Sequence, residues 1–441
     1  MYMLVAEKLF IQNLSIIVAC FIVASCSTSA TRELAPGTPE SVGMSSERLS
    51  KLDDVIQEYL ADGRVQGVVV GVTRRNKVVY YKAHGITNPV TKTPLPKDTF
   101  FAMASSTKPI LGVAAMMLIE EGLISPDDPV EKYITEFKGI QVAVPTSSGS
   151  KNASYKKKKK NKNKGKNKGK GKGRYEKPAD YKLVDVNRPL TIGDLLTHTA
   201  GLQTGGLGSA VANLQRGPEE TLATFAPRVA KGPLDFQPGT RWAYSGSVGL
   251  DIVARIIEIA SGTPFNEFVR TRIFEPLDMK DTYWNLPENK LDRLPVNPDD
   301  KGRFIESPYY YSGSLGLLST ARDYMHFEQM LVNKGTLFGQ QLLKPESVEM
   351  MSTNKVGSLF GAGKGGSGMG FGYTVGVTLD PEKSRDPRPV GTFGWGGAAG
   401  TISWTAPAED LTFVYMVRGP TDLPRKLTKI VIDAINSRSG M

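Results

Sequence analysis

The sequence predicts an α+β fold in which an antiparallel sheet, flanked by helices, carries a mainly helical subdomain. Strand-type patterns lie near both ends of the chain and helix-type patterns lie between them, which favours one sheet assembled from the two ends. The composition, 40% hydrophobic and 22% charged over 441 residues, is that of a globular protein. These observations exclude a disordered or fibrous chain.

Residues 1–25 are predicted to be a signal peptide of the lipoprotein type. The apolar run Leu14 to Val23 follows Lys8 and is too short to span a bilayer comfortably. The sequence VASC at 23–26 resembles a bacterial lipobox, so we expect cleavage before Cys26 and lipid modification of its thiol. Residues 26–40, rich in Ser, Thr and Pro, would tether an exported protein to a membrane, facing the periplasm or the cell exterior. A plain secretory signal or a buried helix is the alternative.

The globular part is predicted to extend over residues 41–436. Periodicity predicts helices at Glu47–Tyr59, Pro109–Glu121, Ile192–Leu196, Val248–Ser261, Phe265–Ile273, Ala321–Lys334 and Leu423–Asn436. Strands are predicted at Val68–Val72, Lys77–Lys82, Phe371–Leu379, Gly391–Phe393, Thr401–Thr405 and Leu411–Val417. The first two strands form a hairpin, and Gly122 is typical of a helix C-terminus. We expect the active site at the junction of the sheet and the helical subdomain.

A Lys-rich insertion, 139–186, is predicted to interrupt this domain as a disordered loop. The net charge of the chain is +11, and residues 151–178, with thirteen Lys, one Arg and one Glu, carry +13 of it, so the remainder is −2. A nearly neutral domain gives no reason to expect nucleic-acid binding. The tract Lys156 to Lys172 is either a solvated insertion or a contact to anionic lipid or wall polymers.

Cysteine and histidine usage excludes several kinds of chemistry. Both cysteines, Cys20 and Cys26, lie in the N-terminal segment, and the three histidines (His84, His198 and His326) are widely separated. The sequence also lacks a P-loop, a dinucleotide fingerprint and an HExxH motif. We therefore expect no metal centre and no cofactor, with catalysis by oxygen and amine groups.

Ser105 and Lys108 form an SxxK pattern, which places a hydroxyl and an amine on one face of a helix. The pattern also occurs at Ser148, Ser154 and Ser352, but only Ser105 directly precedes a long apolar helix, and Pro109 belongs in a first turn. A helix N-terminus favours an oxyanion, and burial would remove the charge of the lysine so that it accepts the serine proton. The alternative is a capping serine followed by a lysine whose amine reaches solvent.

Several motifs in a fixed order make the assignment specific: FAMASSTKPI at 101–110, LLTHTAGL at 195–202, WAYSG at 242–246, PLDMKDT at 276–282, GSLGLLSTARDY at 313–324 and GWGG at 394–397. With them the chain resembles the serine β-lactamase and penicillin-binding-protein superfamily. It is most similar to the class C β-lactamase-like branch that includes the family VIII carboxylesterases. The resemblance runs from about Pro36 to Asn436 and implies a β-lactamase/transpeptidase-like fold.

The resemblance also implies roles for individual residues. Ser105 would be the acylated nucleophile, Lys108 the proton acceptor, and Tyr244 the second member of the general-base pair and then the acid. The N–H groups of Ser105 and of Ala398, on the last active-site strand, would form the oxyanion hole, with Trp395, Gly396 and Gly397 beside the substrate. Tyr244 packing against Trp242 is the structural alternative, and His198 is expected to be structural.

Two departures from the β-lactamase pattern predict the substrate. Tyr244-Ser245-Gly246 stands where class C enzymes have Tyr-x-Asn, and Trp395-Gly396-Gly397 stands where they have Lys-Thr-Gly. The amide that would hold an acylamino group and the cation that would meet a carboxylate are both missing, which favours neutral esters. The sequence thus predicts a serine hydrolase for esters of short to medium acyl groups. A β-lactamase, a D-amino-acid peptidase, or a catalytically silent wall-binding lipoprotein are the alternatives.

Overall fold

The structure, a computed structural model, describes residues 32–146, 180–295, 308–362 and 368–436. The predicted signal peptide, Cys26 and the tract Lys156 to Lys172 lie outside these residues and stay predictions. In the described ranges, no helix is both long and apolar enough to cross a bilayer. The elements below all belong to one unit, Leu34–Met441.

The strands of the described residues are short except at the centre of the main sheet. In chain order they are β1 (Ala35–Pro36), β2 (Gly67–Arg74), β3 (Lys77–Asn88), β4 (Thr93–Pro94), β5 (Phe101–Ala102), β6 (Gln141–Pro145), β7 (Tyr181–Asp185), β8 (Thr282–Tyr283), β9 (Leu318–Ser319), β10 (Thr336–Leu337), β11 (Gln340–Gln341), β12 (Met369–Phe371), β13 (Gly376–Thr378), β14 (Phe393–Gly396), β15 (Ile402–Ala406) and β16 (Leu411–Val417).

The α-helices lie mainly between β5 and β12. They are α1 (Ser46–Ala61), α2 (Lys108–Glu120), α3 (Ile192–Leu196), α4 (Leu207–Ala212), α5 (Leu222–Val229), α6 (Gly249–Ser261), α7 (Phe265–Val269), α8 (Ala321–Val332), α9 (Pro345–Ser352), α10 (Pro381–Ser384) and α11 (Leu423–Asp433). A π-helical turn, Arg270–Phe274, extends α7 where the sequence predicts one continuous helix to Ile273.

The main sheet has the strand order β1-β3-β2-β16-β15-β14-β13-β12, with β4 also pairing with β3. Neighbouring strands are antiparallel except β1, which runs parallel to β3. At its centre, β2 pairs with β16 from Val68 opposite Val417 to Arg74 opposite Leu411. The N-terminal and C-terminal parts of the chain therefore build one sheet, which confirms the predicted fold class.

One face of this sheet, called the outer face below, is covered by α1 and α11. Its apolar cluster includes Leu52 of α1, Leu427 of α11, Val70 of β2 and Trp404 of β15, all with 1% or less of their surface exposed. Val69 belongs to the cluster on the opposite face. Because both faces are covered, β2 is apolar at successive positions instead of alternating with polar residues.

The opposite face, called the inner face, packs against α8 and, beyond it, the helical subdomain around α2. A Cβ at Gly71 of β2 would lie 2.2 Å from the sulfur of Met325, so α8 approaches β2 closely only because position 71 is glycine. Helix α2 is buried from Lys108 to Leu118 and contacts α6, α7 and α9. The start of α2 therefore lies at the junction of sheet and subdomain.

Two predicted strands differ from the structure. The segment Phe371–Leu379 forms the hairpin of β12 and β13, because the chain turns back at 372–375, where Thr374 has a left-handed φ of +68°. The strand predicted at Gly391–Phe393 is β14, which begins at Phe393 and extends to Gly396. Trp395 therefore lies in a strand, opposite Ser403 of β15.

The bounds of the predicted insertion and tether also change. Within 139–186, β6 and β7 form an antiparallel pair from Gln141 opposite Asp185 to Pro145 opposite Tyr181, so both ends of this stretch belong to the folded domain. Residues 147–179 lie outside the described ranges. In the predicted tether, β1 pairs with β3. Short extended segments that adjoin a sheet or each other gain backbone hydrogen bonds that sequence composition does not reveal.

Candidate active site

Ser105 lies in a 3₁₀ turn, Ala104–Thr107, that leads directly into α2. Ala104 has a φ of +45°, a left-handed conformation that costs a non-glycine residue roughly 1 kcal/mol or more. The hydroxyl of Tyr324 stabilises this turn by donating to the carbonyl of Ser106 at 2.5 Å. Ser105 itself is partly exposed. A strained, supported turn thus presents this hydroxyl at the helix N-terminus, as predicted.

Lys108 follows one turn later with its side chain completely buried. Its Nζ donates to the carbonyl oxygens of Ser314 at 2.6 Å and Gly246 at 2.8 Å, and lies 3.4 Å from the Oγ of Ser105. Burial lowers the pKa of Lys108 to about 7. At neutral pH a substantial fraction of this side chain is therefore a free amine, within reach of the serine proton.

Tyr244 completes the cluster of polar groups around Ser105. The indole N–H of Trp395 donates to the Tyr244 oxygen at 3.2 Å, and the nearby Ser105 hydroxyl also lowers the pKa of this phenol. The Lys108 Nζ lies 5.1 Å from the centre of the tyrosine ring. Burial raises the pKa of Tyr244, and the contacts with Ser105 and Trp395 oppose that rise only in part. The neutral phenol is favoured, which suits a proton donor better than a base.

The two residues predicted to form the oxyanion hole lie on adjacent turns. Ser105 is in the 3₁₀ turn, whereas Ala398 is an exposed residue of the turn between β14 and β15. The prediction that Ala398 lies on the strand itself is wrong, because β14 ends at Gly396. The strand stops there because the chain turns between Gly397 and Gly400, which are joined by a backbone hydrogen bond of 2.9 Å.

The β14–β15 turn is fixed to the nucleophile turn by contacts that sequence reasoning missed. The Thr401 hydroxyl donates to the carbonyl of Met103 at 3.2 Å and shares a hydrogen bond of 3.1 Å with the Ser106 hydroxyl. A Cβ at Gly397 would lie 2.1 Å from the same Met103 carbonyl, so only glycine permits this approach. The structure therefore packs the turn that contains Ala398 against the turn that contains Ser105, and the close approach requires glycine at position 397.

Aromatic rings pack around Tyr244 and against one another. This aromatic wall consists of His198, Trp242, Phe360, Phe371 and Trp395. The imidazole of His198 lies 4.7 Å from the Tyr244 ring, centre to centre, and burial lowers the pKa of His198 to about 3. Neither of its nitrogens has a hydrogen-bond partner among the described residues. A neutral, packed histidine agrees with the structural role expected for it.

A cavity of about 340 Å³ adjoins the far side of Trp395. Its apolar lining includes Phe360, Met369, Ile402 and Trp404. Four charged residues lie around it, and Arg388 is paired with Asp386 at 2.6 Å. The lining also includes Arg425 and Thr428 of α11, the helix that covers the outer face, and includes none of Ser105, Lys108 and Tyr244. This cavity therefore lies on the outer side of the sheet, separate from the nucleophile.

The remaining histidines lie outside this cluster. His326 contacts the carbonyl of Leu277 through Nδ1 at 2.8 Å, and His84 contacts the Tyr80 hydroxyl through Nε2 at 2.8 Å. In the part of the chain that the structure describes, no three His, Cys, Asp or Glu residues are grouped so that they could hold a metal ion. Ser105, Lys108 and Tyr244 are therefore the groups available for chemistry at this site.

Asp251 is a further buried residue of the site that sequence reasoning missed. It lies in the first turn of α6 and accepts a hydrogen bond from the N–H of Ser314, the residue whose carbonyl receives the Lys108 amine. An acidic residue among the apolar residues of the first turn of a helix, GLDIV, was the signal that could have identified it.

Comparisons with known proteins give a consistent picture. A family profile described as Beta-lactamase matches residues 52–435. Among related sequences, Protein Rv1367c of Mycobacterium tuberculosis (strain ATCC 25618 / H37Rv) is 29% identical over 399 residues, covering 83% of this chain and 89% of that protein. Esterase EstB of Burkholderia gladioli is 28% identical over 390 residues, covering 80% and 86%.

A solved structure supports the same fold. EstCE1, described as a hydrolase with promiscuous acyltransferase activity, superimposes with a TM-score of 0.69 at 22% sequence identity. The alignment covers 89% of this chain and 99% of that one. The likeness therefore extends over most of the chain and concerns the fold alone.

Proposed function

The chain belongs to the beta-lactamase family of serine hydrolases, and on that premise we propose that it hydrolyses carboxylic esters of short to medium acyl groups. The observation that carries the proposal is the pairing of Tyr244 with Trp395. At the position where lactam-hydrolysing relatives carry a cation, this chain has an indole whose N–H donates to the catalytic phenol. The similarity to a protein named as an esterase supports the same substrate class.

Acylation would begin with the free amine of Lys108. It takes the proton of the Ser105 hydroxyl, 3.4 Å away, as the serine oxygen attacks the acyl carbon of the ester. The carbonyl oxygen becomes an oxyanion, for which the N–H groups of Ser105 and Ala398 are the proposed donors. The protonated amine is held by two backbone carbonyls and does not need to move.

Collapse of the tetrahedral intermediate breaks the bond to the alkoxy oxygen. Tyr244, kept neutral by its raised pKa, donates its proton to that oxygen, and the alcohol leaves. The phenol regains a proton from the Lys108 ammonium, which restores the amine. Water then attacks the acyl group on Ser105 by the same steps in reverse order, releasing the carboxylic acid.

The surroundings of the nucleophile favour an uncharged substrate. Gly246 presents no side-chain amide to an acylamino group, and its carbonyl is already occupied by Lys108. The aromatic wall offers apolar surface to the acyl chain of a substrate. A lactam or a peptide C-terminus would leave its polar groups unsatisfied here, whereas the acyl chain of a simple ester would not.

The test compares hydrolysis of p-nitrophenyl butyrate and a chromogenic cephalosporin by the purified full-length protein. We expect ester turnover far above lactam turnover, loss of both in Ser105→Ala, and no loss in Ser352→Ala, the matched control from a second SxxK pattern. Dominant lactam turnover would contradict the ester preference. Folded protein that turns over neither substrate would favour a peptidase or a wall-binding protein.

We also propose that the protein is an exported lipoprotein, as the sequence at 23–26 predicts. Cys26→Ser is expected to abolish incorporation of radiolabelled palmitate, and retained labelling would contradict the proposal. For the tract Lys156 to Lys172 we propose contact with anionic surfaces. Deleting residues 151–174 is then expected to lower salt-sensitive retention on phosphatidylglycerol vesicles, and unchanged retention would show that the tract makes no such contact.

A further inference from the structure

The Lys108 amine is positioned by backbone carbonyl groups instead of by a side chain. Its shortest contact is to the carbonyl of Ser314, at 2.6 Å, and the second is to Gly246, at 2.8 Å. A carbonyl can orient an amine only if its own peptide is fixed. The contacts that fix the peptide of Ser314 therefore decide where the proton acceptor points.

Asp251 fixes that peptide. Its Oδ1 accepts the N–H of Ser314 at 2.9 Å and the hydroxyl of Ser312 at 2.7 Å, while its Oδ2 accepts the hydroxyl of Tyr310 at 2.7 Å. The carboxylate is 1% exposed. Three donors hold this buried carboxylate in one orientation. Burial raises the pKa of Asp251, and the hydrogen bonds oppose that rise in part by favouring the charged form.

The same carboxylate supplies the negative charge that acts on the Lys108 amine. The other titratable groups facing this amine are His198, at the end of α3, and Tyr244, and both are favoured in their neutral forms. From α6, Asp251 raises the pKa of Lys108, against the larger lowering by burial. The amine therefore remains basic enough to take a serine proton while being free at neutral pH.

We propose that Asp251 is a positioning residue for the proton acceptor, holding the Ser314 carbonyl against the Lys108 amine and placing a carboxylate behind that contact. The inference rests on the proposed function in one respect, namely that Lys108 accepts the proton of Ser105. It goes further by assigning a role to a residue that touches neither Ser105 nor the substrate.

The experiment measures how fast a fluorophosphonate probe labels Ser105 in the full-length protein, from about pH 5 to about pH 9. This rate reports activation of the serine whatever the natural substrate is. In wild-type protein we expect it to rise through a midpoint near the Lys108 pKa of about 7. In Asp251→Asn, which keeps the shape but removes the charge, we expect the midpoint to fall by roughly 1 pH unit.

Asp323→Asn is the matched control. Asp323 is another fully buried carboxylate, and it accepts hydrogen bonds from the Asp281 N–H and the Thr282 hydroxyl. Loss of its charge is expected to change stability and to leave the midpoint in place. A midpoint that stays at the wild-type value in folded Asp251→Asn would overturn the inference, because a merely structural carboxylate predicts that result.

Tyr310→Phe keeps the inference testable if Asp251→Asn does not fold. It removes one donor from Asp251, so the carboxylate is charged for less of the time, and a smaller shift of the midpoint to lower pH is expected. An unchanged midpoint would overturn the inference here too. Failure of the probe to label Ser105 in folded wild-type protein is a different result, since it would overturn the proposed function and the inference with it.

Discussion

The two faces of the central sheet bury different chemistry. On the outer face, α1 and α11 cover the strands with apolar side chains such as Leu52, Leu427 and Trp404. On the inner side, the subdomain buries Lys108 and Asp251, and it buries His198 without hydrogen-bond partners among the described residues. Burying ionisable groups costs several kcal/mol each unless partners compensate. The apolar cluster of the outer face therefore stabilises the fold. The buried ionisable groups of the inner side lower its stability but provide the reactive groups.

Lys108→Met tests the comparison most severely. Methionine fills a similar volume without a charge, so we expect hydrolysis to fall by about 10³-fold or more, while thermal stability stays the same or rises. Steady-state kinetics and calorimetric unfolding of the same preparation measure both. A variant that unfolds at clearly lower temperature would show that the buried amine contributes to stability, and the contrast between the faces would fail.

The pH dependence of stability sharpens the same point. Lys108 has a folded-state pKa of about 7 against an ordinary value of 10.5, so between these values the unfolded chain binds a proton that the folded chain does not. Stability of the wild type, relative to Lys108→Met, is then expected to rise with pH by up to about 1.4 kcal/mol per pH unit in that window. Chemical denaturation at a series of pH values measures it, and a flat difference would contradict the lowered pKa.

Leu427→Ala probes the outer face alone. Its side chain is completely buried in α11, and truncation is expected to lower the free energy of unfolding by about 3 kcal/mol. Ester hydrolysis by the folded variant is expected to keep its wild-type kcat, because no residue of this cluster contacts Lys108. Urea denaturation and kinetics at low temperature decide this, and a fall in kcat without unfolding would show that the faces are coupled.

The smallest expected effects come from matched substitutions of two tryptophans, one on each face of the sheet. Each indole N–H donates at 3.2 Å, that of Trp395 to Tyr244 on the inner side and that of Trp404 to Thr428 on the outer face. Trp395→Phe is expected to lower kcat by about 10-fold, since one hydrogen bond to the phenol is lost. Trp404→Phe is expected to lower stability and leave kcat unchanged. Equal effects of the two substitutions on kcat would show that the two faces of the sheet do not differ in their influence on catalysis.

The parts predicted from sequence are those fixed by neighbours along the chain. The SxxK pattern with Pro109 placed Ser105 and Lys108 on one turn, and Gly122 marked where α2 ends. The role of Asp251 was not predicted because its partner Ser314 is 63 positions away, and no local sequence pattern indicates that contact. The end of β14, and with it the place of Ala398, depends on how Gly397 meets Met103, which is also a tertiary contact.

The hairpin of β6 and β7 has a consequence for engineering. Beyond its last strand pair, the N–H of Thr146 donates to the carbonyl of Asp180 at 3.0 Å, so the domain itself brings the two ends of the intervening interval together. Each doubling of the length of a flexible segment closed at such a point costs only about 0.6 kcal/mol. The interval 147–179 is therefore a suitable insertion site. A reporter peptide, or a guest domain whose termini lie close together, can replace it while the rest of the domain is kept.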